Sequence, residues 1–381
     1  MRRLAVLAVL MSAAVPAISV TLLGVRELRE LIVSARAAGD SDADTAHKVG
    51  RVPLKERLTE AALADIRAIG LGPKTAGVLE LLADVSEFLP GVEAPGTAPL
   101  TPAEGEAVLA KAREFTANYI RNLPDFVCTR VIRRFDAAFV AGFDARSARR
   151  FYYGAILGAL RLQDTISSEV SFYHGKESYA AQTVDGQAHE QPVSGVITWG
   201  EFGGLLGSLL VGGANPKTEW SRWEVIDGKR VAVFRYSVDR QHSRYTVTWC
   251  CYHDRRREIS AGYRGELFIE PASGSVIRLT RQVALPVGFP MLTADTMVEY
   301  RPVVIGGNSY ICPVKSVTLS WWKASAGYLV FSLSEVRFGS YHKFGATSTL
   351  VVSDAQPEAG LETTAPPKPA IATPATAAPR F

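Results

Sequence analysis

After Pro124 the apolar residues of this chain recur at every second position, and that period holds to about residue 340. A period of two sends successive side chains to opposite faces of a strand. Candidate strands run through 126–135, 166–174, 177–184, 220–226, 230–238, 244–252, 261–270, 275–285, 295–304, 309–322 and 327–340. Turn dipeptides separate many of them: His174-Gly175, Asp227-Gly228, Ser273-Gly274 and Gly306-Gly307. No helix-length crossover of the kind parallel pairing needs lies between them, so about ten strands in antiparallel meander order are expected. One segment breaks the pattern. Trp199 to Val211 is apolar and Gly-rich, and reads as a short helix or a lid.

Before Pro124 the period is helical. Leu28, Leu31, Ile32 and Ala35 form one apolar stripe, Leu63, Ile66 and Ile69 a second, and Val78, Leu81, Leu82, Val85 and Phe88 a third. Residues 24–89 are therefore read as a helical segment and 90–102 as a Pro/Gly-containing linker. Thr101-Pro102-Ala103-Glu104 is a complete helix start, with Thr101 as cap, Pro102 in the first helical position and Glu104 closing the capping box. Val108, Ala112, Phe115 and Tyr119 follow on one face, which needs a packing partner. The remainder, 103–353, is one sheet domain, and 354–381 is a Pro/Ala/Thr-rich tail of disordered composition.

The extreme N-terminus reads as an export signal. Arg2 and Arg3 precede an apolar run from Leu4 to Val15, and Val15-Pro16-Ala17 offers small residues for cleavage after Ala17. Retention as a membrane anchor is the alternative, although a span takes about 20 apolar residues. A periplasmic or secreted location is expected, with no integral span once the signal is removed. In such a compartment one disulfide from Cys128 or Cys312 to the Cys250-Cys251 pair is conceivable, and buried free thiols are the equal alternative.

The motifs that promise chemistry do not add up to an active site. Ile69-Gly70-Leu71-Gly72-Pro73-Lys74-Thr75-Ala76 resembles the turn of a helix-hairpin-helix DNA-binding motif, which holds a phosphate at a helix N-terminus. The formal net charge is only +4, with no basic cluster around this turn, so nucleic acid is not the expected partner. Asp40, Asp42 and Asp44 imitate a calcium loop but lack its glycine and its bidentate glutamate, and read as a helix-initiating loop. There is no Gly-x-Ser-x-Gly elbow and no His pair at ligand spacing. Glu177 and Glu201 stand in aromatic surroundings that could raise a carboxyl pKa. No catalytic residue, metal or cofactor is assigned.

Aromatic residues in the strands are the best lead. Trp220, Phe234, Trp249, Phe268, Tyr300, Trp321 and Phe331 are the candidates for lining a ligand cavity. Phe202, Leu205, Leu206 and Leu209 are the candidates for a movable apolar cover. The competing reading is an ordinary filled core.

The succession Gly262-Tyr263-Arg264-Gly265-Glu266-Leu267-Phe268-Ile269, then Gly274-Ser275-Val276-Ile277-Arg278-Leu279, Val298-Glu299-Tyr300 and Ile305-Gly306-Gly307-Asn308-Ser309-Tyr310-Ile311-Cys312-Pro313-Val314, is similar to the periplasmic lipoprotein-carrier (LolA/LolB-type) superfamily. Asn122-Leu123-Pro124-Asp125-Phe126-Val127-Cys128, Trp199-Gly200-Glu201-Phe202-Gly203 and Leu82-Ala83-Asp84 resemble phrases of secreted bacterial proteins with an added helical N-terminal segment. The resemblance covers roughly residues 105 to 350 and implies an α+β fold, with a large curved antiparallel sheet forming an unclosed β-barrel and a helix packed on its concave face. It also implies a cavity for a lipid or lipoprotein acyl chain. The expected function is an exported, non-catalytic protein holding a lipid or other apolar ligand. The alternatives are an envelope structural protein that docks a protein partner on a filled core, and an enzyme of unassigned class.

Overall fold

The computed structural model describes residues 22–94, 96, 98–139, 153–189, 195–249, 257–324 and 327–344. The export segment 1–17, Cys250, Cys251 and the tail 354–381 lie outside them. The chain divides into two compact units, residues 1–90 with 146–158 and residues 91–145 with 159–381.

In the first unit α1 (Val25–Ala37), α2 (Asp42–Val49), α3 (Glu60–Arg67) and α4 (Pro73–Ser86) begin at residues suited to it. Ser41 caps α2 by accepting the Asp44 N–H at 3.2 Å, and Thr59 caps α3 by accepting that of Ala62 at 3.3 Å. Pro73 opens α4, where its missing N–H leaves no bond unmade. The N-terminus of α4 is already occupied by an anion from the same chain. The Asp42 carboxylate accepts the N–H groups of Lys74 and Thr75 at 2.9 and 3.0 Å and the Thr75 hydroxyl at 2.7 Å. These bonds, the Thr75 hydroxyl first, hold Asp42 below the usual carboxylate range. A Cβ at position 72 would fall 2.3 Å from the Asp42 carboxyl carbon, so the close approach needs glycine. Asp40 pairs with Lys48 and Asp44 with Ser41, so the three aspartates serve three separate contacts.

The second unit opens with α5 (Pro102–Asn122), whose Thr101/Glu104 capping box is formed as the sequence predicts. The helix ends at Leu123, which adopts extended angles before Pro124. The strands are β1 (Phe126–Phe139), β2 (Arg161–Tyr173), β3 (Lys176–Val184), β4 (Gln187–Ala188), β5 (Lys217–Ile226), β6 (Lys229–Val238), β7 (Thr246–Trp249), β8 (Arg257–Ser260), β9 (Gly262–Ile269), β10 (Val276–Ala284), β11 (Met291–Ile305), β12 (Asn308–Lys323) and β13 (Leu329–Lys343). Along the chain two short helices interrupt them, α6 (Tyr153–Ala159), which up to Gly158 belongs to the first unit, and α7 (Gly204–Leu210), within this one. Eleven strands form one sheet in the order β4-β3-β2-β1-β13-β12-β11-β10-β9-β6-β5, while β7 and β8 pair separately. Every pair in both sheets is antiparallel. The edge strands β4 and β5 do not pair with each other, so the fold is an α+β unclosed barrel.

The connectivity departs from a simple meander in one way that matters for the site. The chain starts mid-sheet at β1, runs out to the β4 edge, and re-enters at the opposite edge as β5. From β5 it returns strand by strand to finish as β13, hydrogen-bonded beside β1. The connection between the two edges carries the Gly-rich segment that broke the period of two.

Candidate functional site

One face of the sheet carries helices. Val108, Leu109 and Ala112 of α5 and Leu205, Leu206, Leu209 and Leu210 of α7 share one apolar cluster with Phe234, Tyr236, Leu267, Leu279, Val298 and Tyr300 of the strands. Tyr119 and Leu123 at the end of α5 join a second cluster with Phe126, Ile132, Val170, Phe172, Phe202 and Val336. A third holds Val247, Ala261, Val283, Phe289, Met291 and Ala294. The helix face is thus apolar in three patches.

A strap of residues 195–203 leads into α7 and is tied down by a polar latch. Arg130 of β1 donates to the Thr198 carbonyl at 2.9 Å, with its guanidinium 4.9 Å from the Tyr179 ring centroid and 4.8 Å from that of Trp199. Glu177 of β3 accepts the N–H groups of Gly200 and Phe202, each at 3.2 Å, and the Tyr179 hydroxyl at 2.7 Å. The Thr198 hydroxyl donates to Glu201 at 2.6 Å. Gly200 (φ 90°) takes a left-handed turn that aims both N–H groups at one carboxylate. Beyond the latch, Phe202 is fully buried among Phe126, Phe172 and Phe338, with ring centroids 5.2, 6.5 and 5.1 Å away. Burial, and then the charge of Glu201, push the Glu177 carboxyl above its usual range.

A polar row crosses the same face between the apolar patches. Arg281 of β10 lies opposite Thr296 of β11, Thr296 opposite Thr318 of β12, Thr318 opposite Ser334 of β13, Ser334 opposite Arg134 of β1, and Arg134 opposite Asp164 of β2. The Thr296 and Thr318 hydroxyls are 3.3 Å apart, and Ser334 donates to the Val196 carbonyl of the strap at 3.1 Å. Arg134 is paired with Asp164. The hydroxyls of Ser316 and Ser320, which flank Thr318, are buried without a hydrogen-bond partner. So are the hydroxyls of Thr116 and Tyr119 of α5 and Tyr300 of β11, one carboxylate oxygen of Glu201, and the Nε atoms of Arg130 and Arg281. Such groups normally find partners, because leaving one buried and unmade costs about 1–3 kcal/mol.

The expected cavity residues do not line one surface. Trp220, Phe234 and Tyr300 do come together at the α5/α7 cluster, where Trp220 meets Phe234 edge-on at 5.6 Å. Trp249 belongs to the third cluster, 5.6 Å from Trp322. Phe268 is corrected to the opposite face, where it packs with Val231 and Val233. Trp321 and Phe331 also point there. They face each other across β12 and β13 at 5.1 Å, while their neighbours Trp322 and Ser332 bond on the helix face. The surplus of aromatic surface that suggested a cavity is therefore divided between two faces. The expected cover residues Phe202, Leu205, Leu206 and Leu209 are all buried on the helix face.

Sequence reasoning missed Arg130, Arg281 and the hydroxyl row, whose common position depends on strand register. Cys128 and Cys312 are buried free thiols, so neither bridges to the Cys250-Cys251 pair. Burial pushes both up to about 12, which leaves them protonated and unreactive. Among the described residues no helix is long and apolar enough to cross a membrane, and no group of three or more His, Cys, Asp or Glu side chains is placed to hold a metal.

No family model matches this chain. No curated protein matches it either. Among solved structures it is similar to a LolA superfamily protein from Nitrosomonas europaea, at 12% identity and a TM-score of 0.25, covering 63% of this chain and 94% of that one. It is similar to a DUF1329 family protein from Desulfovibrio piger at 8% identity and a TM-score of 0.30, covering 65% and 95%. A third is an outer membrane lipoprotein-sorting protein domain from Vibrio parahaemolyticus, at 8% identity and a TM-score of 0.27, covering 61% and 90%.

Proposed function

We propose that this is an exported, non-catalytic binding protein, periplasmic or secreted, that holds the acyl chain of a lipid or lipoprotein between the helix face of its sheet and the cover made by α5, the strap and α7. The observation that carries this reading is the edge-to-edge connection. A segment that only had to join β4 to β5 has instead placed five large apolar side chains, Phe202, Leu205, Leu206, Leu209 and Leu210, against the sheet. Its attachment beside the aromatic cluster is a handful of polar bonds centred on Glu177 and Arg130.

The magnitudes suit an exchange. Full burial of a large apolar side chain contributes about 1.5–3 kcal/mol, so lifting five such side chains costs roughly 10 kcal/mol. An acyl chain of about fourteen CH₂ groups supplies about 11 kcal/mol gross when buried. A chain of that length can replace the cover's contacts without an external energy source.

The polar bonds of Glu177 and Arg130 hold the strap in place, which accounts for these residues without a reaction. The test is mass analysis of organic extracts from protein purified without detergent, together with titration of a fluorescent fatty-acid analogue. Co-purified acyl lipid and saturable binding are expected. An empty extract with no binding of the analogue overturns the reading in favour of a structural envelope protein.

A further inference from the structure

We propose that Arg281 seats the oxyanion headgroup, carboxylate or phosphate, of an acyl ligand whose chain lies against the apolar side chains on either side of it. This rests on the binding reading above and adds the chemistry of the ligand's polar end.

Arg281 occupies the border between two apolar patches. Its same-face neighbours along β10 are Leu279, which belongs to the α5/α7 cluster, and Val283, which belongs to the cluster around Phe289 and Met291. The side chain is only 6% exposed, yet among the described residues it makes no ion pair, and its Nε has no hydrogen-bond partner. Its visible compensation is the face of Tyr245, whose ring centroid is 3.7 Å from the guanidinium carbon. A cation–π contact offsets part of the cost of burying a guanidinium and leaves its in-plane N–H donors for something else. Arg130 is likewise held by ring faces and also donates to a carbonyl, whereas two further arginines of this unit have carboxylate partners. Arg278 has Glu299 at 3.2 Å, and Arg222 has both Glu224 and Glu266. A buried cation is tolerated when a negative charge accompanies it, and here none of the described residues supplies one.

The surroundings are those of an oxyanion site. Thr296 lies directly across from Arg281, Thr318 next in the row, and the unpartnered Ser316 hydroxyl lies on the same face of β12. The Tyr300 hydroxyl, also unpartnered, lies within electrostatic reach of the Arg281 charge. A guanidinium fork with neighbouring hydroxyl donors matches a carboxylate or phosphate, and nothing in this arrangement favours a cationic or neutral head. The apolar patches on both sides give the attached chain an apolar surface.

The test compares palmitate with methyl palmitate on the full chain, measured by displacement of a fluorescent fatty-acid analogue. Binding of palmitate about tenfold tighter than the ester is expected, since the two differ only in the charged head. In Arg281→Gln the preference should disappear while ester affinity stays within about twofold of the unmodified protein, and Arg281→Lys should retain part of it. Equal affinities in the unmodified protein, or a preference that survives in folded Arg281→Gln, overturn the proposal and establish Arg281 as a structural cation–π residue. The unmodified comparison decides alone if the Gln variant does not fold. Binding of neither palmitate nor its ester removes the binding reading itself, and this inference with it. Two further probes separate the sources of the anion. A lysophospholipid with a terminal phosphate should compete with palmitate, and inorganic phosphate alone should not. Competition by inorganic phosphate at equal potency overturns the acyl part of the proposal.

Discussion

The two faces of the sheet treat buried charge differently, although the helix face also holds one paired arginine, Arg134 with Asp164. On the outer face the Arg222 guanidinium reaches Glu224 at 2.8 Å and Glu266 at 2.6 and 2.8 Å. Glu335, 2% exposed, accepts from Arg133 at 2.6 Å and from Arg337 at 2.7 Å. On the helix face Arg281 has no carboxylate among the described residues, and Glu201 leaves one oxygen unbonded. The outer-face carboxylates Glu224 and Glu335 each have an arginine, although the Arg278 Nε lacks a partner, whereas the helix face leaves a larger set of buried donors and acceptors unpartnered among the described residues. Charges of the first kind build a fold. Those of the second kind leave polar atoms to which a ligand can bond.

The sharpest way to break this contrast is at the cover. Phe202→Ala removes a fully buried ring from between Phe126 and Phe338 and should cost about 4 kcal/mol in denaturant unfolding. If the strap opens as its own unit, amide exchange at Gly200 and Phe202 will accelerate far more than exchange in β12 and β13. Uniform acceleration would mean that the cover and the sheet are one solid core.

Arg222→Ala should come next, at about 3 kcal/mol, because Glu224 is fully buried and loses its cation. A loss near zero would mean that the outer pairs do not build the fold.

The third measurement is stability against pH, where the two faces should give slopes of opposite sign. Burial acts to raise Glu335, but Arg337 and Arg133 outweigh it and hold the carboxyl below its usual range. Its folded state binds fewer protons than its unfolded state, so its contribution is present above the unfolded pKa and is lost as pH falls through the folded one. Glu177 is raised by burial and then by Glu201, so its folded state binds more protons. Its contribution is full below the unfolded pKa and is lost as pH rises through the folded one. Glu177→Gln should therefore flatten the decline above about pH 4, and Glu335→Gln should remove the gain over the acid range. Slopes of the same sign would contradict the assignment.

The smallest effect is expected at Arg281. Arg281→Met exchanges a buried, carboxylate-free cation for an apolar chain and should change stability by less than about 1 kcal/mol in the ligand-free protein. A loss as large as that of Arg222→Ala would place Arg281 among the structural charges.

Much of the strand order was legible because hairpins are local. His174-Gly175, Asp227-Gly228 and Gly306-Gly307 all adopt positive φ at both positions, as two-residue hairpin turns require, and each joins two strands read from alternation. The Thr101 capping box and the stop before Pro124 were legible for the same reason. Phe268, Trp321 and Phe331 were not, because alternation says which residues share a face and not which face carries the helices. Bulges at Trp220/Arg222 and Glu299/Tyr300 shift the phase again.

From the chain alone came the elements: where helices start, where strands turn, and that antiparallel pairing must follow. These depend on backbone preferences and side-chain periods spanning a few residues. Tertiary structure alone decided that β13 returns beside β1, that the β4-to-β5 connection crosses the helix face, and that Arg281, Thr296, Thr318, Ser334 and Arg134 fall on one line. Those five residues lie on five different strands. Their alignment follows from register summed over four successive pairings, which no short stretch of sequence encodes.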